Sequence, residues 1–352
     1  MKIAVIVRRL SGKGGMETVI RSLAEAAFHH SGDLLEVWAM GSPIDRHWLA
    51  DLPHHIMPID QGTGKRFQLK TKLPLYTWAI RHLMKKNPVD IILATDPVFV
   101  AAALKARRGQ VPKVLSWVHF SLDALANVEY LREADGHLAI STGIRDQIQA
   151  LHPQATPTVI YNPLPTIPPL SRPDDKGNPL VFIGRLNNRQ KRLDLLFQAL
   201  ALQTHPTWHL TIVGDGPDRA MLQDLARRLE IGHKITWGLW KEEPWDGLNP
   251  RYLCLSSDFE GFPMALLESL VRGIPVIATD CPTGPRDIVI PGKNGWLSPP
   301  GDVEALATTL TQALAHGPLA WDAETIRDDV VARFGPNQVF ARARRVMQKA
   351  GP

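Results

Sequence analysis

Residues 162–179 read NPLPTIPPLSRPDDKGNP, and six of these positions are proline. Proline has no backbone N–H and a fixed φ, so this stretch builds neither a helix interior nor a central strand. It divides the chain into a first domain, 1–163, a proline-rich linker, 164–179, and a second domain, 180–323, before a helical closing segment, 324–352. On both sides of the linker, short β-branched runs alternate with amphipathic stretches. Strands are expected at 3–7, 35–40 and 91–94, then at 180–183, 210–213 and 275–278. Helices are expected at 16–28 and 193–200. Met16, Val19, Ile20 and Leu23 stand at i, i+3, i+4 and i+7, and Leu193, Leu196, Phe197 and Leu200 repeat that spacing. The alternation predicts two α/β domains, each with a mainly parallel sheet.

The chain has 352 residues, 44% of them apolar and 21% charged, enough for two buried cores and without a low-complexity tract. Cys254 and Cys281 are too far apart in sequence for a disulfide framework or a metal knuckle, and they read as inert core thiols of a cytosolic protein. The apolar run at 3–7 is shorter than a signal-peptide core, and no apolar stretch approaches the roughly 18 residues that span a bilayer. Residues 1–165 carry 19 basic and 14 acidic groups. The excess is densest at 61–113, where Lys65, Arg66, Lys70, Lys72, Arg81, Lys85, Lys86, Lys105, Arg107, Arg108 and Lys113 face only Asp90 and Asp96. Such a run is either a solvated face or a surface that attracts phosphates on lipid, glycolipid or nucleic acid.

Parallel sheets bind ligands beyond the carboxyl ends of their strands, so the turns that follow each strand carry the chemistry. The first turn, Ser11-Gly12-Lys13-Gly14-Gly15, enters a helix, where glycine permits close approach of a phosphate and free N–H groups point outward. A dinucleotide fingerprint needs a third glycine where Glu17 stands, which argues against NAD. After the strand at 180–183 come Gly184, Arg185 and Lys191, two cations six residues apart that suit a diphosphate clamp. Gly214-Asp215-Gly216 is a tight bend at another strand end. The most specific element is Glu260-Gly261-Phe262-Pro263-Met264-Ala265-Leu266-Leu267-Glu268, two carboxylates eight apart around a turn that opens a helix. Carboxylates there suit sugar and ribose hydroxyls. Glu268 as a merely solvated helix residue is disfavoured by its neighbours Leu266, Leu267, Leu270 and Val271. His119, in Ser116-Trp117-Val118-His119-Phe120-Ser121, follows an expected strand; a lone histidine is more often structural than functional.

The basic pair after Gly184, the Gly-Asp-Gly turn, Glu260 with Glu268, Pro291-Gly292-Lys293-Asn294-Gly295 and Pro300-Gly301-Asp302 resemble, in the same order, the retaining glycosyltransferases of family 4. The resemblance covers nearly the whole chain. The segments GGMETVI from Gly14, SWVHFSLD from Ser116, HLAISTGI from His137 and FEGFPMALLES from Phe259 look most like the branch that builds the bacterial lipopolysaccharide core. This implies a GT-B architecture, two Rossmann-like domains with parallel sheets facing across a cleft, the second holding the nucleotide sugar and the first the acceptor.

It also implies galactose transfer from UDP-galactose to a core sugar in an α-1,6 linkage, with UDP-glucose or GDP-mannose as the rival donors and a sugar-nucleotide epimerase as a remote rival. Arg185 and Lys191 would meet the diphosphate, with Gly14 and Gly15 approaching it. Glu268 would bind ribose; Glu260 and the amides of Gly261, Phe262, Pro263 and Met264, proline lending only its backbone shape, would hold the donor sugar. His119 would contact the sugar hydroxyls near the reacting carbon. No metal is expected, because the cations stabilise the departing diphosphate. Nucleic acid is not an expected partner, since no exposed aromatics interleave with the basic run; the anionic cytoplasmic leaflet of the inner membrane is. One departure stands out. Only thirteen residues, 246–258, separate Trp245 from Phe259, where the family pattern fits a helix and a strand, and this compressed segment borders the expected base pocket near Trp237 and Trp240.

Overall fold

The computed structural model describes all residues except 11–13, 61–70, 172–178, 205, 206, 242, 317–321, 351 and 352. Lys13 of the first glycine-rich turn, Lys65, Arg66 and Lys70 of the basic run, and part of the proline-rich linker therefore lie outside the described residues. The chain forms two units, Met1–Pro165 with Phe334–Pro352, and Thr166–Arg333.

In the first unit the elements are β1 (Lys2–Val7), α1 (Gly15–Ser31), β2 (Leu34–Ala39), β3 (His54–Ile56), α2 (Leu73–Lys86), β4 (Ile91–Ala94), α3 (Pro97–Ala106), β5 (Lys113–Ser116), β6 (Gly136–Ala139), α4 (Thr142–Leu151), β7 (Thr158–Val159) and α12 (Pro336–Ala350). The sheet order is β3-β2-β1-β4-β5-β6-β7, and every pairing is parallel. Central β1 is buried from Ile3 to Val7, as a strand covered on both faces requires. The helix ends follow local chemistry. Gly32 ends α1 at φ 65°, its N–H donating to the carbonyls of Ala27 and Phe28, a left-handed cap that glycine adopts without a Cβ penalty. Asp96 caps α3 by accepting from Val98 N at 3.0 Å, with Pro97 in the first turn, where its missing N–H costs nothing.

The second unit contains β8 (Pro179–Ile183), α5 (Asn188–Lys191), α6 (Leu193–Ala201), β9 (His209–Val213), α7 (Arg219–Arg228), β10 (Ile235–Gly238), β11 (Tyr252–Leu255), α8 (Met264–Leu270), β12 (Val276–Thr279), α9 (Pro285–Ile288), β13 (Gly295–Ser298), α10 (Val303–Ala315) and α11 (Ala323–Phe334). Its parallel sheet runs β10-β9-β8-β11-β12-β13. The compressed segment keeps its strand, β11, but among the described residues no helix lies between β10 and β11. The chain turns through Trp245 and Leu248 instead and re-enters the sheet where Arg251 N donates to Pro179 O at 2.7 Å. Of the closing segment, α11 counts with the second unit up to Arg333, and α12 with the first.

Strand order reverses between β1 and β4 in one sheet and between β8 and β11 in the other. Such switch points leave a crevice between neighbouring turns at the carboxyl edge. In the second unit the turns meeting there carry Arg185 and Lys191 on one side and Glu260 on the other. Cys254 and Cys281 are buried free thiols, each pushed up to about 12 by burial, and so inert. No helix among the described residues is long and apolar enough to cross a membrane.

Candidate active site

The β8 and β11 turns interlock. Lys191 Nζ donates to Glu260 Oε1 at 2.6 Å, and Ser257 Oγ donates to the same oxygen at 2.6 Å. Gln190 Nε2 reaches Glu260 Oε2 at 3.4 Å and Phe259 O at 3.2 Å. Thr283 Oγ1 donates to the Glu260 carbonyl. Glu260 is 7% exposed, and these donors supply the hydrogen bonds that its buried carboxylate needs. The backbone at Lys191 is fixed as well: Ser256 Oγ donates to Lys191 O at 2.8 Å, and Arg192, in the left-handed region at φ 47°, binds Asp258 at 2.6 Å and Asp194 at 3.1 Å. Arg185, two residues beyond β8, is exposed, and no carboxylate among the described residues pairs with it.

Two glycines make the β8 turn fit. A Cβ at Gly214 would lie 1.9 Å from Gly184 O, and one at Gly216 would lie 2.3 Å from Leu186 O. The Gly-Asp-Gly bend is therefore more than a tight turn: it lets the β9 loop press on the backbone that carries Arg185, with Leu186 N donating to Asp215 O at 2.9 Å.

Past Glu260, Gly261, Phe262 and Pro263 are buried and lead into α8, whose first turn has no side-chain cap. Glu268 lies farther along α8, half-buried, its Oε2 accepting from Trp245 Nε1 at 3.1 Å. The Arg272 guanidinium stacks over the Trp245 ring at 4.6 Å and donates to Glu268 O at 2.8 Å. Burial pushes the Glu268 carboxyl above its ordinary range, while the Trp245 hydrogen bond and the Arg272 charge pull it down. Beyond β10, Leu239 and Trp240 are exposed, whereas Trp237 is packed between Phe197 and Arg219.

In the first unit, His119 follows β5 and is 7% exposed, its ring edge-on to Trp117 at 4.4 Å between centroids. Burial holds it down to about 3, so it is neutral, and its buried Nε2 has no hydrogen-bond partner among the described residues. A buried ring nitrogen without a partner is uncommon in folded proteins. Gly14 and Gly15 open α1. Glu17, 4% exposed, folds back so closely that a Cβ at Gly14 would lie 2.7 Å from its Oε2. That carboxylate occupies the positive end of the helix.

Sequence reasoning passed over the donors to Glu260, namely Gln190, Ser257 and Thr283, and the Trp245–Arg272 pair that holds Glu268. Only adjacency to Lys191 and Glu260 could have hinted at Gln190 and Ser257. It also missed Asp60, 4% exposed, which lies 3.5 Å from Arg8 and 3.4 Å from Lys72. The basic run is consequently less unopposed than its composition implied: Lys72 serves Asp60, Arg107 serves Asp135, and Arg81 donates to the carbonyls of Lys105 and Ala106. Asp60 adjoins the window 61–113, whereas Asp135 comes from well beyond it. No group of three or more His, Cys, Asp or Glu side chains among the described residues is placed to hold a metal ion.

Comparison with known proteins gives this geometry a family. Residues 13–166 match the family described as Glycosyltransferase Family 4, and residues 166–325 match Glycosyl transferases group 1. The chain is 36% identical over 330 residues to a lipopolysaccharide 1,6-galactosyltransferase of Salmonella typhimurium, covering 90% of both chains. An Escherichia coli protein of the same name is 36% identical over 327 residues, covering 90% of this chain and 89% of that one. Among solved structures, the apo form of the lipopolysaccharide outer core galactosyltransferase WaaB superposes with a TM-score of 0.85 at 32% identity, covering 99% of each chain. Anabaena HepE in complex with UDP and glucose, at 18% identity and a TM-score of 0.76, shares the fold. With two parallel-sheet α/β units of GT-B type and relatives aligned along nearly its whole length, the chain belongs to the family 4 glycosyltransferases.

Proposed function

We propose that this glycosyltransferase moves galactose from UDP-galactose to a sugar of the lipopolysaccharide core, forming an α-1,6 linkage with retention of configuration. The Lys191–Glu260 pair at the β8/β11 switch point carries the reading, because it sets a cation for a diphosphate beside a carboxylate for sugar hydroxyls. Lys191 and the exposed Arg185 meet the diphosphate, and the backbone from Gly261 to Met264 borders the donor sugar. Gln190 and Ser257 keep Glu260 oriented when Lys191 turns toward the phosphate. Glu268 takes the ribose: Trp245 occupies one carboxylate oxygen and leaves the other to a hydroxyl. Trp240 and Leu239 supply an apolar platform for the base.

Gly14 and Gly15 are assigned to the diphosphate, where they offer only backbone and Glu17 must turn aside. His119 is assigned to the donor sugar hydroxyls; as a neutral imidazole it hydrogen-bonds them without adding charge at the reacting carbon. The acceptor hydroxyl attacks on the face from which UDP leaves, and a phosphate oxygen takes its proton. The positive charge that the leaving group needs comes from Lys191 and Arg185, so the reading requires no divalent metal. The protein is cytoplasmic and peripheral on the inner membrane, a placement supported by the exposed Lys85, Lys86 and Arg108 together with exposed Leu75 and Trp78 on α2.

Calorimetric titration with UDP-galactose, UDP-glucose and GDP-mannose, with EDTA present, tests the donor assignment. Selective UDP-galactose binding that weakens in Glu268→Ala supports it; preference for another nucleotide sugar replaces the donor. Sedimentation with anionic vesicles tests the membrane contact, which is dropped if no salt-sensitive association appears.

A further inference from the structure

The first unit has a cavity of about 450 Å³ at the end of its sheet opposite His119. One wall is the face of α12 bearing Arg342, Arg345 and Lys349; the other bears Thr156 and Thr158, at the entry to β7. In a parallel sheet the amino ends of β6 and β7 lie at the edge away from the turns after β1, β4 and β5, so this cavity is separate from the site that His119 serves.

We propose that the cavity binds a phosphate ester carried on a hydroxylated molecule. The three cations stand at i, i+3 and i+7, which puts them on one helix face. Their neighbour Arg344 points elsewhere and ion-pairs with Asp33 at 2.8 Å, whereas no carboxylate among the described residues pairs with Arg345 or Lys349. Asp135, the one acid on the lining, has its charge committed to Arg107 and to Val114 N at 2.7 Å. The Arg342 guanidinium lies over the Tyr161 ring at 5.5 Å, which steadies it at the rim. A phosphate presents only acceptor oxygens, matching guanidinium forks and an ammonium on one wall and threonine hydroxyls on the other. The volume falls in the range of roughly 300–1,000 Å³ typical of small-molecule sites and exceeds what one phosphate fills, which leaves room for a sugar-sized body.

Hydrogen exchange read by mass spectrometry locates the binding. One arm uses glucose 6-phosphate and the other uses vesicles containing phosphatidylglycerol, each against chloride at matched ionic strength. Slower exchange in peptides covering 156–159 and 342–349, with at least tenfold weaker binding in Arg345→Gln/Lys349→Gln, is the expected result. Protection by glucose 6-phosphate assigns a soluble ester, and protection by vesicles alone assigns a lipid-borne one. Thr158→Val, on the opposite wall, should weaken the same response. No protection at these peptides by either probe, or an equal response in the double variant, would overturn the proposal. In that case the cations merely offset the negative end of the helix dipole.

Discussion

Lys191→Ala separates what Lys191 does for the fold from what it does for the reaction. The Lys191 side chain is 16% exposed and that of Glu260 7%, with 2.6 Å between charged atoms. Removing one partner of a fully buried pair costs about 3–5 kcal/mol, because the other charge is stranded. Here Ser257 and Gln190 still donate to Glu260, and Lys191 is not wholly enclosed, so the expected loss of stability is about 2 kcal/mol. Loss of a cation that meets the leaving diphosphate is expected to cost about 3 kcal/mol of transition-state stabilisation, roughly a hundredfold in kcat/KM. Urea unfolding and initial rates at varied donor concentration measure the two effects on the same protein. Adding Glu260→Gln should return most of the lost stability, since no carboxylate is stranded, without returning activity. If folded Lys191→Ala keeps kcat/KM within a fewfold of the parent, the diphosphate assignment is wrong. If the double variant is no more stable than the single one, the stranded-charge argument is wrong.

Other perturbations read other parts of the site. Trp245→Phe keeps an aromatic ring beneath Arg272 but removes the donor to Glu268; donor KM should rise about tenfold, as expected for a lost hydrogen bond to a charged group, with kcat nearly unchanged. An unchanged KM would separate Glu268 from the ribose. Gly214→Ala forces a methyl to 1.9 Å from Gly184 O, so the Tm should fall by several degrees, about 2 kcal/mol or more, and donor affinity should fall with the displaced Arg185 turn; a silent substitution would mean the loops are not in contact. His119 and His137 are held down to about 3 and about 4, below the ordinary 6.5. The unfolded chain therefore binds more protons between those values. Stability should be full above pH ~6.5 and should fall as pH drops toward 4, by about 1.4 kcal/mol per unit for each histidine in mid-window. His119→Gln should flatten the acid side of that curve, and an NMR titration placing His119 near 6.5 would contradict its burial.

The frame of the fold is legible in the sequence because parallel strands buried on both faces are short apolar runs. Residues 91–94 and 180–183 announce β4 and β8, and the prolines from Pro163 to Pro179 mark the break between units. The Glu260–Glu268 element is legible as a Gly-Phe-Pro turn that opens a helix, and α8 does begin at Met264. Its support is not. Lys191 and Glu260 are brought into contact by the strand order, in which β8 and β11 are neighbours though far apart along the chain, and nothing local encodes that choice. Trp245 marks a shortened segment in the sequence; only its placement beside α8 makes it the donor to Glu268. The basic run misleads for the same reason: Asp60 and Asp135, the acids that neutralise Lys72 and Arg107, come from outside the window that composition examines. His119 is visible as a histidine after a strand, but its neutrality follows from packing against Trp117.

The central claim is galactosyl transfer from UDP-galactose, and transfer itself tests it most directly. The purified protein would be incubated with radiolabelled UDP-galactose or UDP-glucose and a core oligosaccharide lacking the branch galactose, with the product linkage read by NMR. The account predicts label transfer from UDP-galactose alone, an α-1,6 linkage, and transfer slowed roughly a hundredfold in Lys191→Ala. A product formed from UDP-glucose instead, a β anomer, or free galactose without an acceptor product would contradict it.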